Sequence, residues 1–334
     1  MEERILTDRR LDKILSEFAA HHVLVIGDVM MDEYVWGNAR RISPEAPVMV
    51  VEVDRESYMP GGAANVVNNV QALGGTTSMI GVIGDDPMAE RLVGCLSESG
   101  VDVAGLVVDP SRPTTLKTRI IAHSQQVVRV DRESRRKLSG SVMKKVAALV
   151  EERLPSVDIV VFSDYDKGMA SSVVVNAVIE GARRNGKRVV VNPKPKNARQ
   201  FKTASVISIN QSEAEAVSGV TIGCDKDLNR VSGRLLNILK PEALLITRGP
   251  HGMRVITSDG TAEDIPAHLV EVYDVAGAGD TVVSVMALSL ASGAEIREAA
   301  VLANCAGGAV VRKVGVATVT PAEIRALLNE GDSR

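Results

Sequence analysis

The chain is predicted to be an α/β protein with a largely parallel sheet and helices on both faces. Three observations support this. Short β-branched runs recur along most of the 334 residues. They are apolar on consecutive positions, as strands buried on both faces must be. Stretches of helical spacing separate them, which is the rhythm of βα units and of neither a sandwich nor a bundle.

Taken in order, Met1–Leu15 mixes acids and bases at helical spacing. It lacks the apolar centre of a secretory signal. Val23–Gly27 is the first buried strand, and a helix is expected over Ala63–Leu73. Ser78–Gly84, Asp158–Ser163, Arg188–Asn192, Val206–Asn210 and Ala243–Thr247 are further strands. Helices are expected between them at Pro87–Ser99, Ser141–Leu154, Ser171–Asn185 and Leu228–Leu239. From Asp280 to Asn329 the pattern is consecutive helices, broken at Gly293 and around Gly315.

Two segments leave that rhythm. Tyr34–Glu56 is a Pro-containing loop ending in the extended run Val48–Val53, and Thr114–Asp131 is two strands with a turn near His123–Ser124. Side chains alternate along a strand, so Lys117 and Arg119 share one face, as do Arg129 and Asp131. A core strand does not carry such charge. The segment is either a solvated hairpin or a small β-lid over an anionic ligand. The expected arrangement is one domain over 1–334, with a lid formed by about 34–56 and 112–131 inserted in it.

Composition narrows the classes. Apolar residues make up 45% and charged residues 24%, which is ordinary for a globular chain. Aromatics at 2% speak against a base-stacking platform, and a net charge of −3 leaves no footprint for nucleic acid or a membrane surface. The apolar run Val282–Ala291 is interrupted by serines and falls short of the ~20 residues of a span. Cys95, Cys224 and Cys305 are scattered without metal or redox spacing, as in reduced cytosolic proteins. A cytoplasmic location is expected.

Two glycine patterns fail as nucleotide motifs. Gly181–Lys187 begins like a phosphate-binding loop, but Arg188 stands where a hydroxyl should hold magnesium. It also runs from helix to strand, the reverse of what that loop needs. Gly277-Ala-Gly279-Asp280 lacks the third glycine of a dinucleotide fingerprint. It nevertheless opens a long apolar helix. Small residues there let backbone N–H groups converge on a phosphate, and an adjacent carboxylate can take a proton from an attacking hydroxyl. Asp280 is therefore either a general base or a simple helix cap.

Four segments in order carry a resemblance: Gly61-Gly62-Ala-Ala-Asn65, Asn210-Gln211-Ser212-Glu213, Thr247-Arg-Gly249-Pro-His-Gly252 and Asp274-Val-Ala-Gly277-Ala278-Gly279-Asp280. With them the chain resembles the ribokinase-like (PfkB-type) carbohydrate kinases over essentially its whole length. Arg41–Pro47, Gln125-Gln126 with Arg129-Val-Asp131, and Ser163–Gly168 look like the heptose 7-phosphate kinases within that family. Such kinases are often fused to an adenylyltransferase with a His-x-Gly-His signature. No histidine pair here has that spacing, so a stand-alone kinase is expected. Ala276 stands where the family often has threonine, and Asn192-Pro-Lys194-Pro where it usually has Asp-Pro-Lys-Gly.

The resemblance implies ATP and Mg2+ as cofactors and phosphorylation of an anomeric hydroxyl. It makes Asp280 the base, with the amides of Gly277, Ala278 and Gly279 around the transferring group. Asp28, Asp32, Gly61, Gly62 and Asn65 would lie at the sugar. Lys117, Arg119, Arg129 and Lys167 are candidates for a sugar phosphate, since cationic forks suit phosphate oxygens. Lys194, Asn210, Gln211, Ser212, Glu213, Thr247, Gly249, Gly252 and Asn304 would line the nucleotide, with Asn210 and Glu213 organising the metal. His251 and His268 are expected to be structural. A two-stranded lid is marginal alone, so a homodimer through the lid is expected. A kinase of another sugar, or a catalytically silent binder, remains as an alternative.

Overall fold

The computed structural model describes residues 6–123 and 125–332. Helix α1 (Asp8–Glu17) starts where the Thr7 hydroxyl accepts the Arg10 amide. Strand β1 (His22–Gly27) leads into a long hairpin, β2 (Val29–Ile42) and β3 (Met49–Gly62). Helix α2 (Ala63–Ala72), β4 (Thr76–Ile83), α3 (Pro87–Glu98) and β5 (Asp102–Val108) follow. Asp86 caps α3 by accepting the Ala89 amide, and proline occupies its first turn, where no N–H is missed. A second hairpin is β6 (Leu116–Ala122) and β7 (Gln125–Arg132). His123 lies in its turn, and Ser124 falls outside the described residues.

Next come α4 (Gly140–Arg153), β8 (Ile159–Ser163), α5 (Ser172–Arg184), β9 (Arg188–Asn192), β10 (Val206–Asn210) and α6 (Gln211–Ser218). The chain ends with α7 (Asp225–Leu239), β11 (Ala243–Thr247), β12 (Met253–Thr257), β13 (Ala262–Ile265), α8 (Ala278–Ala291), α9 (Ile296–Val310) and α10 (Pro321–Asp332).

Among the described residues, nine strands form one sheet in the order β13-β12-β11-β10-β9-β8-β1-β4-β5. Neighbours are parallel from β5 across to β11, and β12 and β13 add an antiparallel edge. Strand β1 shows why the apolar runs are continuous. Val23 and Val25 join one core with α2, α8 and α9, while Leu24 and Ile26 join the other with α4, α5 and α7. Helix α8 is buried from Asp280 through Leu290, as expected of a helix covered by the sheet, α2 and α9. No helix among the described residues is long and apolar enough to cross a membrane.

The expected strands and helices of the α/β layer are present within a few residues. Strands β5, β12 and β13 were not foreseen. The lid differs more: residues 34–42 are strand, and β2 and β3 extend well beyond the expected segment. Four strands in the order β3-β2-β6-β7 make the lid sheet, with β2 and β6 parallel. Bulges after Trp36 and Ala39 twist the long hairpin.

Candidate active site

Asp280 is the third residue of α8 and 3% exposed. The helix cap is Gly277, in the left-handed region at φ 78°, where side-chain-bearing residues are strained. The Asp280 side chain does not turn back to cap the backbone. It accepts Asn65 Nδ2 on Oδ2 at 2.7 Å, and the Tyr165 hydroxyl on Oδ1 at 2.8 Å and Oδ2 at 2.9 Å. Burial pushes its pKa up to about 6, against the two hydrogen bonds and the Lys194 charge. Asn65 is held in turn: Asn69 Nδ2 donates to its carbonyl at 2.9 Å, and the Thr281 hydroxyl donates to Asn69 Oδ1 at 2.8 Å.

The loop 164–169 that carries Tyr165 is tied by two buried carboxylates. Asp28 accepts the amides of Tyr165, Lys167 and Met169 at 2.9–3.0 Å. Asp164 accepts those of Asp166 and Lys194, together with Asn197 Nδ2. Burial raises both pKa values, that of Asp28 to about 6. Asp28 was expected at the sugar. Its oxygens are instead taken by this loop.

On one side of Asp280 opens a cavity of about 730 Å³. Lys194, Asn210, Glu213, Thr247, Gly249, Gly252, Asn304 and the turn Gly277–Asp280 line it, with Val270, Val272 and Val311 among an apolar wall. A mostly apolar pocket with few convergent polar groups suits a nucleoside, and the first-turn amides of α8 suit its phosphates. Gln211 and Ser212 are absent from that lining: Ser212 Oγ donates to Asn210 Oδ1 at 2.6 Å and Gln211 Nε2 to Glu215 at 3.3 Å. Asn210 and Glu213 form a reciprocal capping box, and Lys194 Nζ lies 2.7 Å from Glu213 Oε1. Oxygen donors are what magnesium asks for, but each already accepts a hydrogen bond within the protein. The pair therefore fits the water shell of a cation held at the phosphates.

On the other side of Asp280 lies the lid. Gly61 is a close approach: a Cβ there would sit 2.1 Å from Asp32 Oδ2. Asp32, 4% exposed, is ion-paired with Arg119. Lys117 pairs with Asp131 at 3.3 Å, Arg129 with Asp131 at 2.8 Å and Lys167 with Glu133 at 2.6 Å. Arg119 and Arg129 stand directly opposite each other in the ladder. Like charges in that position repel, so the carboxylates paired with each, Asp32 and Asp131, act as counter-ions. Tyr165 was missed by sequence reasoning. Its tyrosine lies in a loop quoted only for resemblance, and nothing local signals a contact made across 115 residues.

Sheet, lid and helix-terminal carboxylate together have the architecture of a ribokinase-like sugar kinase. The fold resembles that of phosphofructokinase-2 from Escherichia coli in complex with potassium, with TM-score 0.76, 20% identity, and cover of 94% of this chain and 99% of that one. It also resembles Arabidopsis thaliana ribokinase complexed with ribose and ATP, with TM-score 0.72, 15% identity, and cover of 92% and 98%. The family model for pfkB family carbohydrate kinases matches residues 20–323, and the chain belongs to that family. Among curated relatives, the bifunctional protein HldE of Desulfatibacillum aliphaticivorans is 43% identical over 316 residues, 95% of this chain. That of Geobacter sulfurreducens is 42% identical over 330 residues, 98% of this chain. The chain spans 65% and 67% of the length of these two relatives.

Proposed function

We propose that this chain transfers the γ-phosphoryl group of ATP to the anomeric hydroxyl of D-glycero-β-D-manno-heptose 7-phosphate, giving the 1,7-bisphosphate and ADP. The observation that carries the reading is the buried Asp280 carboxylate at the N-terminus of α8, between the cavity and the lid. Its Oδ2 accepts Asn65 Nδ2, and the one Tyr165 phenol proton is shared between Oδ1 and Oδ2. A carboxylate oxygen offers about two lone-pair sites, so Oδ1, the less occupied atom, has room to take the hydroxyl proton. The sugar oxygen then forms its bond to the γ-phosphorus as the bond to the β-phosphate oxygen breaks. The amides of Gly277 to Asp280 face the charge on the transferring group, where preorganised donors stabilise it most. Magnesium, when bound with ATP, neutralises phosphate charge, and Asn210 and Glu213 would hold its waters.

The sugar is argued from the lid and from resemblance. Arg119, Arg129, Lys117 and Lys167 stand against Asp32, Asp131 and Glu133. A phosphate dianion that enters between the opposed arginines replaces a counter-ion with a better one. The heptose-like segments and the HldE relatives supply the identity, and with it a cytoplasmic place in the making of ADP-heptose for the lipopolysaccharide core. The lid would be an insertion in a single kinase domain and the seat of a homodimer. The test is turnover with ATP and magnesium on a panel of sugar phosphates, reading the phosphorylated position by phosphorus NMR. A 1,7-bisphosphate from the heptose supports the proposal. Preference for another sugar, or no product from any, removes it.

A further inference from the structure

We propose that Tyr165 is a positioning residue for catalysis, its hydroxyl holding the Asp280 carboxylate in its ionised form and in a fixed orientation. This rests on reading Asp280 as the base. The geometry is specific: one phenol O–H spans both carboxylate oxygens at 2.8 and 2.9 Å. The phenol stays a donor, because burial and the facing carboxylate drive its own pKa well above the ordinary value. Lys194 Nζ stands 5.6 Å from the ring centroid, and Asp28 and Asp164 anchor the loop behind it.

The groups facing Asp280 come from four elements. Asn65 on α2 and Tyr165 after β8 donate to it. Lys194 after β9 favours its charge, and Asp32 on β2 opposes it. Loss of one donor to a charged form raises its pKa. A charge-assisted bond of this kind corresponds to about one pH unit.

Tyr165→Phe keeps the ring and removes the donor. The acid limb of kcat/KM should move up by about one unit from near pH 6, so activity falls about fivefold at pH 6 and little at pH 8.5. The KM for ATP should hold. A loss equal at every pH, with the limb in place, overturns the proposal and leaves a packing residue. Tyr165→3-fluorotyrosine covers the case of a Phe variant that fails to fold. It keeps the shape and strengthens the donor, so the limb should move down, and an unmoved limb counts against the proposal. Asp280→Asn separates this from the function itself. Near-native turnover there removes the base and this proposal with it, whereas a dead Asp280→Asn beside an unmoved Tyr165→Phe limb overturns the tyrosine alone.

Discussion

At the scale of single residues Asp280, the proposed base, would carry two opposite pH dependences. Burial raises the Asp280 pKa from 3.8 to about 6. A carboxyl raised in the folded state binds more protons folded than unfolded between those values. Its contribution to stability is full below the unfolded pKa and is lost as pH rises through the folded one. Activity, if Asp280 is the base as proposed, needs the ionised form and should rise through the same window. Asp280→Asn should therefore lower kcat by ~100- to 10,000-fold, the usual worth of a general base, with ATP and sugar affinities near native by calorimetry. Asn does not titrate, so melting of the variant should gain on the parent by about 1.5 kcal/mol between pH 5 and 8. A melting difference that stays flat with pH would mean that Asp280 is not the raised carboxyl. Near-native turnover would mean that it is not the base.

At the scale of elements the lid and the α/β layer differ in how much of them could be read from the residues. Strands such as Val206–Asn210 are apolar on consecutive positions because both faces are buried, and that signal is local. Strands β2 and β3 are half-solvated and bulged, and they carry Asp32, Arg40, Arg41 and Asp54 among their apolar residues. Their pairing is long-range, so no run of residues announces it. For the site, the glycine turn and Asp280 are contiguous and could be read, as could the cationic faces of β6 and β7. Tyr165, and the turning of Asp28 toward its loop, depend on contacts made across the fold. The lid arginines yield an element-level prediction. Arg119→Ala should raise the KM for the sugar phosphate by roughly tenfold or more, given ~1.5–3 kcal/mol for a charge-assisted bond. The KM for ATP, proposed to bind in the cavity on the far side of Asp280, should hold. Equal effects on both would show that Arg119 acts through lid folding, by leaving the buried Asp32 unpaired.

At the scale of the whole molecule, the lid is a four-stranded sheet whose outer strands β3 and β7 are edges. Every residue of β7 is exposed. Val128 and Val130, 44% and 53% exposed, point away from the face that carries Arg129. Ile42, Val48, Met49 and Val53 add more uncovered apolar surface on or beside the β2–β3 hairpin. Exposed edges next to apolar side chains invite pairing with another chain, although β3 and β7 also carry charges and β3 a proline. A second copy of the same lid would cover both, and closed two-fold pairing is the common way for such a surface to be satisfied. Light scattering at micromolar concentration should therefore give twice the chain mass. Val128→Asp with Val130→Asp should halve it, because like charges placed on that face would repel and be buried without partners. The valines lie on the opposite face from Arg129 and Asp131, so the separated chains should keep their ATP affinity. A parent protein that is monomeric and fully active would show that the lid works alone.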